Sequence, residues 1–427
     1  MSRILIQNGR VIDPSQSLDR VTSLLLEQGR IAAYDAAPTG REQVIDATGK
    51  IVVPGLIDIH MELREPGCES DETIATGTAA ALAGGFTSVA CLPNTDPPID
   101  SPAVVEFVRH QARRADNCHV FVLACVSKNR EGNELSEIGM LKGAGAVGFT
   151  DADRSISNSE LLRRGLEYCL MFDLPILDHP EVPELSHNGV MHEGTESLVL
   201  GLSGMPAEAE DVRVARDVRL AEAMGGRLHL MNVSTAGAVE LLRRAKARGT
   251  RVTAEICAPH FTWTDECLRT FDSHYKVNPP LRSRDHVEAC IAGLVDGTID
   301  VIASGHAPRA SEKKMVEIDQ APFGMATLET TLSLVIMKLI QPGHLDWSRA
   351  LAKLTINPAR VLNLRKGTLQ VGADADVTII NPDERWTLQL DQLCSKSRNT
   401  PLVGAELQGR AEYVIVSGRI KRAPAGA

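Results

Sequence analysis

No stretch of the 427 residues approaches 18 uninterrupted apolar side chains, which speaks against a membrane span. Positive charge is not in excess. With 45 Lys and Arg against 55 Asp and Glu, the net charge of −10 speaks against a nucleic-acid or anionic-membrane surface. The nine cysteines include no CxxC pair, and reduced thiols in a cytoplasm are the plain reading. The opening MSRILIQNGRVIDP lacks the apolar region of a secretory signal. Low-complexity segments, heptads and short repeats are missing, and no GxGxxG follows a strand-like run. These absences leave a cytosolic globular protein, long enough to bury roughly 75% of its unfolded surface.

What the chain does have is a recurring couplet, a short apolar run followed by a helical pattern. The runs are IVVPGLIDIH (51–60), FTSVACLPN (86–94), HVFVLACVS (119–127), AVGFTD (146–151), LPILDHP (174–180), RLHLMNVS (227–234), RVTAEICAPH (251–260) and DVIASGHAP (300–308). Each is rich in Val, Ile, Leu and Ala, as strands buried on both faces should be. Several of the intervening helical segments stop at Gly, the residue expected just past a helix end. Eight such couplets predict an α/β protein with a (β/α)8 TIM-like barrel, the runner-up being a doubly wound open sheet. Residues 1–53 and 366–427 read differently, as short alternating strands with turn signals such as Asn-Gly and Gln-Gly. The expected organisation is a barrel domain over 54–365 and a small composite β-domain built from 1–53 plus 366–427.

Barrel sites sit at the C-terminal ends of the strands. Polar residues collect there: His60 and Glu62, Asn94, Asp151, His179, Asn232 and Ser234, His260 and His306. One histidine ending a buried strand is usually a hydrogen-bonded core residue, but polar residues at seven of eight strand ends favour a site. His60 and Glu62 are two apart on a strand and so share a face. With His179 opposite, two histidines and a carboxylate would match a zinc site with an open fourth position. His229, an odd number of residues from Asn232, is expected on the other strand face. Glu312-Lys313-Lys314 reads as a solvated loop.

The motifs PGLIDIHMELREPG, LPNTDPPID, KVNPPLR, GHAPR, APFG, INPAR and KSRNTP resemble, in order and spacing, those of the class I dihydroorotases. These are amidohydrolases of pyrimidine biosynthesis with a metal-bearing barrel and a composite β-domain. The resemblance implies that fold here, and it casts Arg64, Asn94 and Asn278 as a substrate-binding set. It also shows where the chain departs from the family. HxH after the first strand is His60-Met61-Glu62. The bridging aspartate after the fourth strand is Ala152, in Asp151-Ala152-Asp153. The histidine after the sixth strand is Asn232, and the aspartate after the eighth, a metal ligand and proton shuttle, is Gly305. His179 is kept. Four of six metal-ligand positions therefore differ, leaving His60 and His179 with Glu62 as a vestigial set.

Hydrolysis or closure of a cyclic amide needs the carbonyl polarised and hydroxide supplied, and a bound metal can bring the pKa of water from about 15.7 to about 7. Ala152 and Asn232 cannot replace the second metal's ligands, and Gly305 cannot act as a base. The expectation is a pseudoenzyme without a resident cofactor. The resemblance extends to catalytically silent dihydroorotase-like chains that assemble with aspartate carbamoyltransferase, so that enzyme is the expected partner in a homo- or hetero-oligomer, with no nucleic acid or membrane. Two alternatives stand beside it: a mononuclear amidohydrolase holding one zinc ion on His60, Glu62 and His179, and a sensor that binds a carboxylated pyrimidine precursor without reacting. Arg309, where the family has a substrate-facing histidine, counts against binding.

Overall fold

The structure is a computed structural model and describes residues 3–424. Eight parallel strands follow one another around a barrel: Leu56–Met61, Phe86–Cys91, His119–Ala124, Ala146–Phe149, Pro175–Asp178, Arg227–Leu230, Val252–Cys257 and Val301–Ala303. Each falls in one of the eight apolar runs, the first passing its end by one residue, and the (β/α)8 barrel is the fold the couplets predict. Every residue of Phe86–Cys91 is buried, which accounts for a strand with no polar alternation. The ring closes where the first strand meets the last. Met61 bridges His306, the Glu62 amide donates to the His306 carbonyl at 2.9 Å, and Asp58 accepts from the Ser304 amide at 3.0 Å.

The helices begin and end as their sequences dictate. The Thr73 side chain caps Ile74–Gly84 by accepting from the Thr76 amide at 3.1 Å, and Gly85 ends the helix at φ 93°. Asn158 caps Ser159–Leu170 in the same way, and Pro102 opens Pro102–Ala115. No helix among the described residues is long and apolar enough to cross a membrane.

Strands from both ends of the chain share a second sheet. Its order is Arg419–Arg422, Glu406–Val416, Val377–Thr387, Ile51–Pro54, Arg3–Asp13, Leu18–Glu27 and Arg30–Tyr34, with Gln43–Asp46 pairing to Arg3–Asp13. Ile6, Val11, Leu24, Val52, Val377 and Ile415 form its core. The run 51–60, one strand in the sequence reading, divides between the two sheets. Ile51–Pro54 pairs with Val377–Ile380 and Leu56–Met61 enters the barrel. Gly55 sits at the break, where a Cβ would come within 2.0 Å of Thr87 Oγ1.

In the Glu312-Lys313-Lys314 run, Glu312 and Lys313 are exposed as expected, and Lys314 departs from the solvated state. Lys314 is 3% exposed, and its ammonium donates to the Ser273 and Pro322 carbonyls, each at 2.8 Å. Burial brings its pKa down to about 7.

Candidate functional site

The strand ends open on a cavity of about 90 Å³, small beside the roughly 300–1,000 Å³ of pockets for drug-sized ligands. Its lining includes His60, Glu62, His179, Asn232, Asn278 and Arg309. The sequence therefore names residues that share one cavity. What those side chains do there is another matter.

Glu62 is enclosed by cations and an amide. Arg64 pairs with Oε2, Arg309 Nη1 donates to the same oxygen at 2.8 Å, and Asn94 Nδ2 donates to Oε1 at 2.8 Å. Both carboxylate oxygens are thus engaged in a buried, charge-assisted cluster. Arg309 reaches Glu62 because barrel closure makes the first and eighth strands neighbours. It is fixed from behind by its backbone amide, which donates to Asn399 Oδ1 at 3.1 Å.

His179 turns to Glu181, with 3.1 Å between Nε2 and Oε2, and Asn278 Nδ2 donates to that same oxygen at 2.8 Å. Burial works against the Glu181 charge, but His179, Ser186 and Asn278 hold its pKa at about 2. Asn232 accepts from the Cys257 amide at 3.2 Å and so serves the backbone of the seventh strand. Ala152 is 2% exposed and offers no donor atom.

His60 faces a partner that the sequence reading passed over. Its Nδ1 forms an ion pair with Glu255 and lies 3.7 Å from Cys257 Sγ. Burial disfavours charge on His60, yet Cys257 and Glu255 beside it raise its pKa well above 6.5. Glu255 is fully buried as well; desolvation opposes its charge, while His60 and His229 hold it at about 2. His229 Nε2 lies 3.2 Å from Glu255 Oε2, and its Nδ1 is 2.8 Å from Thr253 Oγ1. The expectation that His229 faces away is therefore corrected. Strand alternation stops at Leu230, and Asn232 adopts φ 47°, so parity does not carry across.

The vestigial set is grouped differently in space. Among the described residues, the His, Cys, Asp or Glu group whose ligand atoms all lie within 4.8 Å of one another is His60, Glu255 and Cys257, rather than His60, Glu62 and His179. The residues present do not fit a binuclear centre. Glu62 is neutralised by two guanidiniums, Ala152 and Gly305 bring no ligand atom, and the Asn232 Oδ1 is spent on a backbone amide.

The remaining strand-end residues bond chiefly to the barrel framework, although Asp153 and His260 also line the cavity. Asp151 accepts from the Val126 and Ser127 amides at 2.9 and 3.1 Å, and Asp153 pairs with Arg130. His260 Nε2 meets the Pro279 carbonyl at 2.8 Å, and burial keeps its pKa at about 4, so its ring is neutral. His306 Nδ1 accepts from the Thr327 amide at 3.2 Å. Four buried atoms of the proposed substrate set have no hydrogen-bond partner: Arg64 Nε, Asn94 Oδ1, Asn278 Oδ1 and Arg64 Nη2, the last of which is ion-paired with Glu62.

Comparison with known proteins follows this geometry. Residues 49–238 match a family model described as dihydro-orotase-like, and residues 324–421 match one described as the amidohydrolase family. A dihydroorotase of Pelotomaculum thermopropionicum is 49% identical over 98% of this chain and 98% of its own length. One of Syntrophotalea carbinolica is 48% identical, again over 98% of both chains. Among solved structures, the L-hydantoinase (dihydropyrimidinase) of Arthrobacter aurescens superposes with a TM-score of 0.89 at 23% identity, covering 99% of this chain and 96% of that one. At that identity the likeness speaks for the fold alone.

Proposed function

The chain belongs to the dihydroorotase-like family of amidohydrolases, and from that premise we propose that it is a noncatalytic member whose barrel mouth no longer supports metal-dependent hydrolysis. The observation that carries this reading is the pairing of Glu62 with Arg64 and Arg309. Two guanidiniums held within contact of a carboxylate leave it no free charge for a divalent cation, and they repel that cation as well. Gly305 supplies no proton-transfer group, a loss typically worth about 10²–10⁴-fold by itself. The test is dihydroorotase turnover in both directions with zinc, cobalt or manganese supplied, beside an active control. Background rates throughout are the expected result. Turnover that scales with protein and disappears in His179→Ala overturns the proposal.

Assembly with aspartate carbamoyltransferase is the function we propose for such a barrel. Its support is the resemblance to silent family members and the retention of a full-length fold beside a dismantled site. The two proteins, mixed at micromolar concentration, are expected to sediment as one complex in analytical ultracentrifugation, and separate species would defeat this part of the proposal. A second reading, a metal-dependent cyclic amidohydrolase with a mononuclear zinc site, is favoured by the names of the relatives, which are called dihydroorotases at 46–49% identity. It requires Glu62 to leave both arginines, and the turnover assay decides between the two. The unpartnered Arg64 Nε, Asn94 Oδ1 and Asn278 Oδ1 support retention of a small polar ligand under either reading.

A further inference from the structure

We propose that His60, Glu255 and Cys257 form a binding site for a single thiophilic divalent cation of the zinc type, one that keeps His60 from the family's ligand set and takes its other two ligands from the seventh strand. Glu255 and Cys257 both lie on the seventh strand, Val252–Cys257, where they share a face two residues apart, and His60 reaches them from the first strand.

Four observations carry the inference. The three ligand atoms all lie within 4.8 Å of one another. The 3.7 Å between His60 Nδ1 and Cys257 Sγ is close to the separation of two ligands on one tetrahedral zinc, about 3.5 Å for Zn–N near 2.0 Å and Zn–S near 2.3 Å, and the hydrogen-bonded His60–Glu255 pair has to open to admit the ion. Imidazole, carboxylate and thiolate together carry two negative charges, which a divalent cation cancels in a buried place where net charge is costly. Each ligand on the seventh strand is also held from behind. Glu255 Oε2 is 3.2 Å from His229 Nε2, and the Cys257 amide donates to Asn232 Oδ1 at 3.2 Å. Outer partners of this kind orient metal ligands.

Space has been made for the sulfur. A Cβ at Gly305 would lie 2.8 Å from Cys257 Sγ, so the thiol fills the position from which an eighth-strand side chain would project. The donor has in effect moved from the eighth strand to the seventh. His60 and Cys257 line the cavity, which leaves a coordination position open toward it. Binding exchanges one divalent cation for two protons, one from the imidazolium and one from the thiol, so the charge of the site does not change. Thiolate selects zinc, cadmium or cobalt over magnesium and calcium.

A Cys–His–Glu nucleophile is the rival use of these residues. The geometry argues against it, because Cys257 and Glu255 meet the same ring nitrogen and His60 cannot relay a proton between them through its ring.

The probe is Co²⁺, added to the full chain after chelator treatment. The expected result is one cobalt per chain with a near-ultraviolet thiolate-to-cobalt charge-transfer band, displaced by zinc and unaffected by magnesium. Cys257→Ser should abolish the band and weaken binding at least tenfold, Glu255→Asp should weaken binding while keeping the band, and Cys290→Ser should change neither. No binding at micromolar cobalt, or binding without the thiolate band, overturns the inference. So does binding that falls with His179→Ala and not with Cys257→Ser. A cation bound here without turnover leaves the functional proposal standing, so the two fail separately.

Discussion

Cys257 occupies the room that a side chain at Gly305 would need: a Cβ placed there meets Cys257 Cβ at 2.7 Å and Sγ at 2.8 Å. The two positions are therefore coupled, and a side chain cannot be introduced at position 305 by itself. Gly305→Asp is expected to destabilise the protein by roughly 1–3 kcal/mol through overpacking and to leave turnover at background. Adding Cys257→Ala removes the sulfur but not the Cβ, so it should recover only part of the loss. Urea unfolding of the single and double variants checks both statements.

Glu255 holds His60 and His229 in a buried cluster, and removing its charge strands the imidazolium. Glu255→Gln is expected to cost roughly 3–5 kcal/mol at pH 6, as for other broken buried pairs. The loss should depend on pH. Glu255 ionises near 2 in the folded chain against an ordinary 4.5, so its contribution is complete above about 4.5 and fades as pH falls toward 2. His60 is raised above 6.5, so its contribution is complete below 6.5 and fades as pH rises through the folded value. The difference between wild type and variant should therefore be greatest between those limits and shrink on either side, as read by urea unfolding across pH.

Arg64 and Arg309 share one carboxylate oxygen of Glu62. Either alone can still neutralise it, so the first removal should be the milder. In a double-mutant cycle with Arg64→Ala and Arg309→Ala, the second substitution is expected to cost about 1–3 kcal/mol more than the first. Additive losses would show that the two guanidiniums act independently.

Lys314 is buried with a pKa near 7 against an ordinary 10.5. Between those values the unfolded chain binds the proton that the folded chain has released, so stability rises with pH across that window. Relative to Lys314→Met, the wild type is expected to gain unfolding free energy from pH 7 to pH 10. A constant difference between the two proteins would place a charged ammonium in the folded state at pH 10.

The eight barrel strands were legible because each lies in a short run dominated by apolar residues, and burial on both faces leaves that mark on composition. Partnership across the barrel leaves no such mark. His60 and Glu62 were found as a same-face pair, but the group that meets His60 lies on the seventh strand, inside a run read only for its apolar residues. The signal was present, since Thr253, Glu255 and Cys257 alternate as polar or sulfur-bearing positions in an otherwise apolar strand. The Glu62–Arg309 pair was within reach of the same reasoning, because closing a barrel brings its first and last strands together. His229 was misplaced by carrying strand parity past the end of the strand, where Asn232 turns to positive φ.

The antiparallel pairing of Val53 with Thr378 joins the start of the chain to its end. A chain emerging from the ribosome can close the eight-stranded ring before that partner exists, and until then Ile51–Pro54 presents an unpaired edge. A chain cut before Val377 would thus carry the barrel strands with an open, adhesive strand beside them. Such a product should aggregate rather than persist as a smaller working protein.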